Sequence, residues 1–86
     1  MSNTMSNEKC SVTILGRSGL RYREGARTVF VRGDVLNGAF DYVVYARSIL
    51  VWEGSNEAIS PDERDRVLSN IEEVFRGHGL AVDLEK

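Results

Sequence analysis

From Cys10 onward the chain alternates. In CSVTIL (10–15), Val12 and Ile14 fall on one side and the polar residues on the other, the period-two pattern of a half-buried strand. LRYRE (20–24) sets Leu20 and Tyr22 on one face and Arg21 and Arg23 on the other, and RTVFVRG (27–33) sets Val29 and Val31 opposite Phe30. GRSG (16–19) and Gly25-Ala26 fall between these runs; they predict turns, the second a tight hairpin. Asn37-Gly38 is another turn signal. It precedes AFDYVVYA (39–46), apolar on both faces: Phe40, Tyr42 and Val44 on one, Val43 and Tyr45 on the other. SILVWE (48–53) predicts a fifth short strand.

At Ser60 the period lengthens to roughly 3.6. Ser60 is a good N-cap, Pro61 suits the first helical position, and Glu63 completes the Ser-x-x-Glu spacing of a capping box. Asp62 and Glu63 also meet the positive end of the helix dipole. Val67, Leu68, Ile71, Val74 and Phe75 make one apolar stripe, which His78 extends. Gly77 and Gly79 end it. LAVDLE (80–85) resumes alternation, with Leu80, Val82 and Leu84 inward. The pattern predicts an α+β fold: an antiparallel β-meander of four to five strands, one amphipathic helix over about 61–77 packed on one sheet face, and a short C-terminal strand. Residues 1–8 are polar and read as a flexible tail, with Met5 a second candidate start; residues 9–86 read as a single domain.

One helix covers one face of a sheet, yet strand 40–46 is apolar on both. Its second face must be covered by curling of the sheet, by a second subunit in a homodimer, or by a partner. A protein-binding or dimeric module is therefore the class the pattern favours.

Composition changes the picture in two ways. The net charge is −2, which argues against a dedicated nucleic-acid coat. It is unevenly spread: residues 1–50 hold seven Lys/Arg and four Asp/Glu (+3), whereas residues 51–86 hold four and nine (−5). The acid travels with the helix and the arginines with the strands. Cys10 is the lone cysteine, so no internal disulfide forms, and a reducing, cytoplasmic setting is expected. The opening MSNTMSNEKC lacks the apolar centre of a signal peptide, and no apolar run is long enough to span a membrane.

Candidate chemistry is sparse. There is no GxxxxGK[ST] motif, and GRSGLRYREG lacks both GxGxxG spacing and a following helix. With one His and one Cys a zinc site is not expected, so no metal or cofactor is assigned. His78 reads as a helix-terminal residue facing the dipole, and Cys10 as a small strand residue. The Asp62/Asp65/Arg66 and Glu72/Glu73/Arg76 groups read as a solvated helix face, and no catalytic residue is assigned. Arg17, Arg21, Arg23, Arg27, Arg32 and Arg47 with Tyr22, Tyr42 and Tyr45 form the one alternative: a basic, aromatic sheet face for nucleic acid. Trp52 reads either as a plug for the end of the core or as an exposed anchor for a partner.

Taken in order, strands ending in ILVW, an acidic loop, ISPDERDRVLSNIEEVF and then HGLAVDLE resemble the bacterial polymorphic-toxin immunity proteins, in particular the immunity protein 74 family, over about residues 11–85. The resemblance implies a small cytoplasmic protein that binds a cognate toxin domain and blocks it, with no active site and no cofactor. Many such toxins are nucleases with basic clefts, which an acidic surface would complement. Glu53, Glu57, Asp62, Glu63 and Asp65, beside Trp52, are the expected partner-binding residues.

Overall fold

Gly33 sits where the sheet changes partners. A computed structural model describes residues 4–16 and 18–85; Arg17, residues 1–3 and Lys86, and the readings placed on them, lie outside the described residues. The strands are β1 (Thr4–Ser6), β2 (Ser11–Ile14), β3 (Gly19–Glu24), β4 (Arg27–Val35), β5 (Tyr42–Tyr45) and β6 (Val82–Glu85), and the helix α1 is Pro61–Gly77. They form one sheet in sequence order, β1 to β6. Neighbours are antiparallel except β5 and β6, which run parallel because α1 crosses between them.

The nine-residue β4 serves two neighbours: Arg27–Arg32 pair with β3, and Gly33–Val35 pair with β5. A Cβ on Gly33 would lie 2.4 Å from the Val43 carbonyl oxygen and 2.5 Å from the Tyr42 ring, so only glycine admits β5 at this point. The helix touches β1 and β2 near one edge of the sheet and β6 at the other. The sheet must therefore curl around α1, which closes the core on the helix side and leaves the opposite face, with Phe30 and Tyr45, partly exposed.

The core lies in that trough. Val12, Leu20, Tyr22, Val29, Val31, Tyr42 and Val44 come from the sheet, and the whole predicted stripe Val67, Leu68, Ile71, Val74 and Phe75 comes from the helix. Ser60 and Glu63 make a complete capping box: the Glu63 N–H donates to Ser60 Oγ at 3.1 Å and the Ser60 N–H donates to Glu63 Oε1 at 3.0 Å. At the other end the Leu80 N–H donates to the Phe75 carbonyl and the Gly79 N–H to the Arg76 carbonyl, with Gly79 at φ +73°. That is a Schellman ending, and glycine supplies its left-handed residue.

Four local readings change. Thr4–Ser6, within the stretch read as a tail, form β1: Met5 packs against the core, and the Thr4 and Thr13 hydroxyls pair across the strands. Residues 48–53 are not a strand. They follow a 3-10 turn (Ala46–Ser48) and lie beside the first half of β4, meeting it through the Glu53 N–H on the Thr28 carbonyl and the Arg32 N–H on Ser48 Oγ. Neither the ladder nor the alternation of a strand is present: Ile49 and Trp52, three residues apart, are buried, while Leu50 and Val51 between them are both exposed. His78 is exposed at the C-cap instead of extending the stripe, because the helical repeat stops at Gly77. Leu80 is exposed as well, because it belongs to the Schellman turn and not to β6.

Candidate functional site

Residues 50–59 make a small hairpin-like excursion. The Ile59 N–H donates to the Leu50 carbonyl, Val51 bridges Ala58, and the Trp52 N–H donates to the Glu57 carbonyl. Gly54 at φ +88° and Asn56 at φ +58° turn the tip, conformations glycine and asparagine tolerate best. The excursion carries Glu53 and Glu57 outward and drives Trp52 inward.

Trp52 is 1% exposed, so of its two expected roles it fills that of the plug and presents no side-chain surface to a partner. The Arg27 guanidinium lies 4.6 Å from its ring centroid, within cation–π range. The same guanidinium donates to Glu63 Oε2 at 3.2 Å. One arginine thus clamps the tryptophan, the sheet edge and the helix cap together. The Glu63 carboxyl is held below its ordinary value, chiefly by the hydrogen bond from the Ser60 N–H, against which burial acts, and then by Arg27. Trp52 Nε1 is buried without a hydrogen-bond partner among the described residues.

The five expected acids divide. Glu53 is paired with Arg21 (Nε to Oε1, 3.1 Å) and Glu63 with Arg27, so both are partly neutralised by the sheet. Glu57, Asp62 and Asp65 are exposed and have no ion-pair partner among the described residues. These three lie on the tip of the excursion and the first turns of α1, and they are the free carboxylates of the expected surface.

The alternative basic face fares differently. Tyr22 and Tyr42 are core residues, 0% and 3% exposed, so neither ring is free to stack on a base. Arg21 and Arg27 are occupied as described, and Arg23 Nε donates to the Gly25 carbonyl. Arg32 and Arg47 remain unpaired among the described residues, beside a partly exposed Tyr45.

A second polar cluster ties β3 to the helix. The Tyr22 hydroxyl donates to Glu24 Oε1 at 2.7 Å and accepts from Asn70 Nδ2 at 2.9 Å, while Arg66 Nη2 donates to Glu24 Oε2 at 2.7 Å. Burial pushes the Tyr22 phenol well up, and it pushes the Cys10 thiol up too. A protonated, buried thiol is a poor nucleophile. No grouping of three or more His, Cys, Asp or Glu able to hold a metal lies among the described residues, and no described helix is long and apolar enough to cross a membrane. The clamp at Arg27 and the network at Asn70 escape sequence reasoning because each joins residues far apart in the chain, 36 apart for Arg27–Glu63 and 48 for Tyr22–Asn70.

A family model described as Immunity protein 74 matches residues 11–85. Neither the search of curated proteins nor that of solved structures returns a match.

Proposed function

Because the chain belongs to the immunity protein 74 family, we propose that it works by binding a cognate toxin domain and blocking it, with no catalysis of its own. The family match over nearly the whole chain carries this reading. Its setting is the cytoplasm, consistent with a lone, reduced Cys10. The contact surface is the acidic side, with Glu57, Asp62 and Asp65 supplying free charge, Glu53 and Glu63 adding partly neutralised carboxylates, and Trp52 holding them from beneath. An acidic surface suits a toxin whose working cleft is basic, as a nuclease's must be to hold phosphates.

The test is co-expression with the C-terminal domain of the protein encoded next to this one. Cells should survive that domain only when this chain is present. Reversing charge at Glu57, Asp62 and Asp65 together should weaken rescue while leaving the fold intact, since all three side chains are exposed. Failure of the wild-type chain to bind or rescue against its neighbour would overturn the reading.

A further inference from the structure

The face of the sheet turned away from α1 carries a preformed groove. Phe30 and Arg32 alternate with the core residues Val29 and Val31 on β4, and Tyr45 follows the core residue Val44 on β5, so all three point away from the helix. With Arg47, Ser48 and Leu50 they line a cavity of about 640 Å³, within the range that accommodates a bound group. Phe30 is 39% exposed and Leu50 63%, so the lining is apolar and open.

The walls are pinned. The Tyr45 hydroxyl donates to Asp34 Oδ2 at 2.8 Å; Ser48 Oγ donates to the Tyr45 carbonyl at 2.7 Å and accepts from the Arg32 N–H at 2.9 Å. The groove therefore needs little ordering on binding. Arg32 and Arg47, the two cations lining it, have no carboxylate partner among the described residues.

We infer that this groove is a second docking surface, one that holds an apolar side chain flanked by carboxylates on a partner protein. An apolar floor rewards a buried anchor, and two unpaired guanidiniums favour carboxylates beside it. Charge complementarity selects this occupant over a nucleic-acid strand. A phosphate backbone needs a run of free cations, but Arg21 and Arg27 are ion-paired and Arg23 is turned to a backbone carbonyl. Asp34 also lies on the same face and holds Tyr45. The inference rests on the reading that this chain acts by binding a protein, and it adds a surface whose charge is opposite to that of the helix side.

The test is an NMR titration of the intact, isotope-labelled chain with three probes: a capped peptide with one Leu flanked by Glu on both sides, the same peptide with Lys flanks, and an oligothymidylate. The Glu peptide should shift the amides of residues 30–32 and 45–50 with a saturating curve. Arg32→Glu with Arg47→Glu should weaken it by about tenfold, and Leu50→Ser should weaken it at unchanged charge. Equal response to the Glu and Lys peptides, or stronger response to the oligothymidylate, would overturn the inference. So would sedimentation showing two copies joined through this groove and parted by Leu50→Ser. The outcomes separate from those above. Peptide binding without rescue refutes the immunity reading alone. Rescue with no peptide binding, undiminished by the arginine changes, refutes the groove alone.

Discussion

Two buried tyrosines make opposite predictions. Tyr22 is fully satisfied, donating to Glu24 and accepting from Asn70. Tyr42 is as deeply buried, but its hydroxyl has no partner among the described residues. A buried polar group left unmade costs about 1–3 kcal/mol, whereas a typical hydrogen bond contributes about 1 kcal/mol net. Tyr22→Phe should therefore lower stability by about 1 kcal/mol and Tyr42→Phe should leave it unchanged or raise it, as denaturant melts of the two variants would show. Glu63 supplies a pH test. Its carboxyl titrates below its ordinary 4.5 in the folded chain, so the unfolded chain binds its proton first as pH falls. The stabilisation is complete above that ordinary value and is lost as pH falls through the lower folded value. Glu63→Gln should flatten the acid limb of a Tm-against-pH curve relative to wild type. Alternation set Tyr22 beside Leu20 and Tyr42 beside Val44, but with strand 40–46 apolar on both faces it did not say which face Tyr42 turns inward, and it carries no information on who accepts the tyrosines' protons.

At the scale of elements, the helix was the most legible part. Its cap, its stripe and its glycine ending are local signals within a single run of sequence, and the described helix, Pro61–Gly77, matches the predicted span of about 61–77. The stripe should carry most of its stability. Ile71 and Phe75 are buried at 0% and 1% exposure, so Ile71→Ala or Phe75→Ala should cost about 2–5 kcal/mol, against about 1 kcal/mol for Ser60→Ala. Melts that rank Ser60→Ala worst of the three would contradict the helix's place in the core. Residues 48–53 were the least legible. Their apolar run reads as a strand, yet Ile49 and Trp52 turn in while Leu50 and Val51 both turn out, and among the described residues the neighbouring edge of β4 meets this segment with only the Thr28 carbonyl and the Arg32 N–H. A short apolar run does not report whether the backbone finds a partner, and without a ladder nothing holds its side chains to a period of two.

At the scale of the whole molecule, pairing order and curvature were hidden from local pattern. The parallel β5–β6 pair and the contact of α1 with β1 and β2 depend on residues 40 and more apart, such as Tyr42 and Val82. The charge layout was visible: −5 in residues 51–86 against +3 in residues 1–50. Folding refines it, because Arg21 and Arg27 reach from the sheet to neutralise Glu53 and Glu63, so that of the five expected acids Glu57, Asp62 and Asp65 have no ion-pair partner among the described residues. This selects which acids should govern an encounter with a basic toxin domain. Long-range attraction acts on diffusional approach and is screened by salt, whereas close contacts set dissociation. Reversing Glu57, Asp62 and Asp65 together should therefore slow association with the purified toxin domain by about tenfold or more at low ionic strength, change dissociation little, and remove most of the salt dependence of the wild-type on-rate. Reversing Arg23, whose side chain donates to the Gly25 carbonyl, should leave association within about twofold of wild type. Stopped-flow mixing across a salt series reads both rates, and an on-rate for the triple reversal equal to wild type at low salt would remove the acidic side from the encounter.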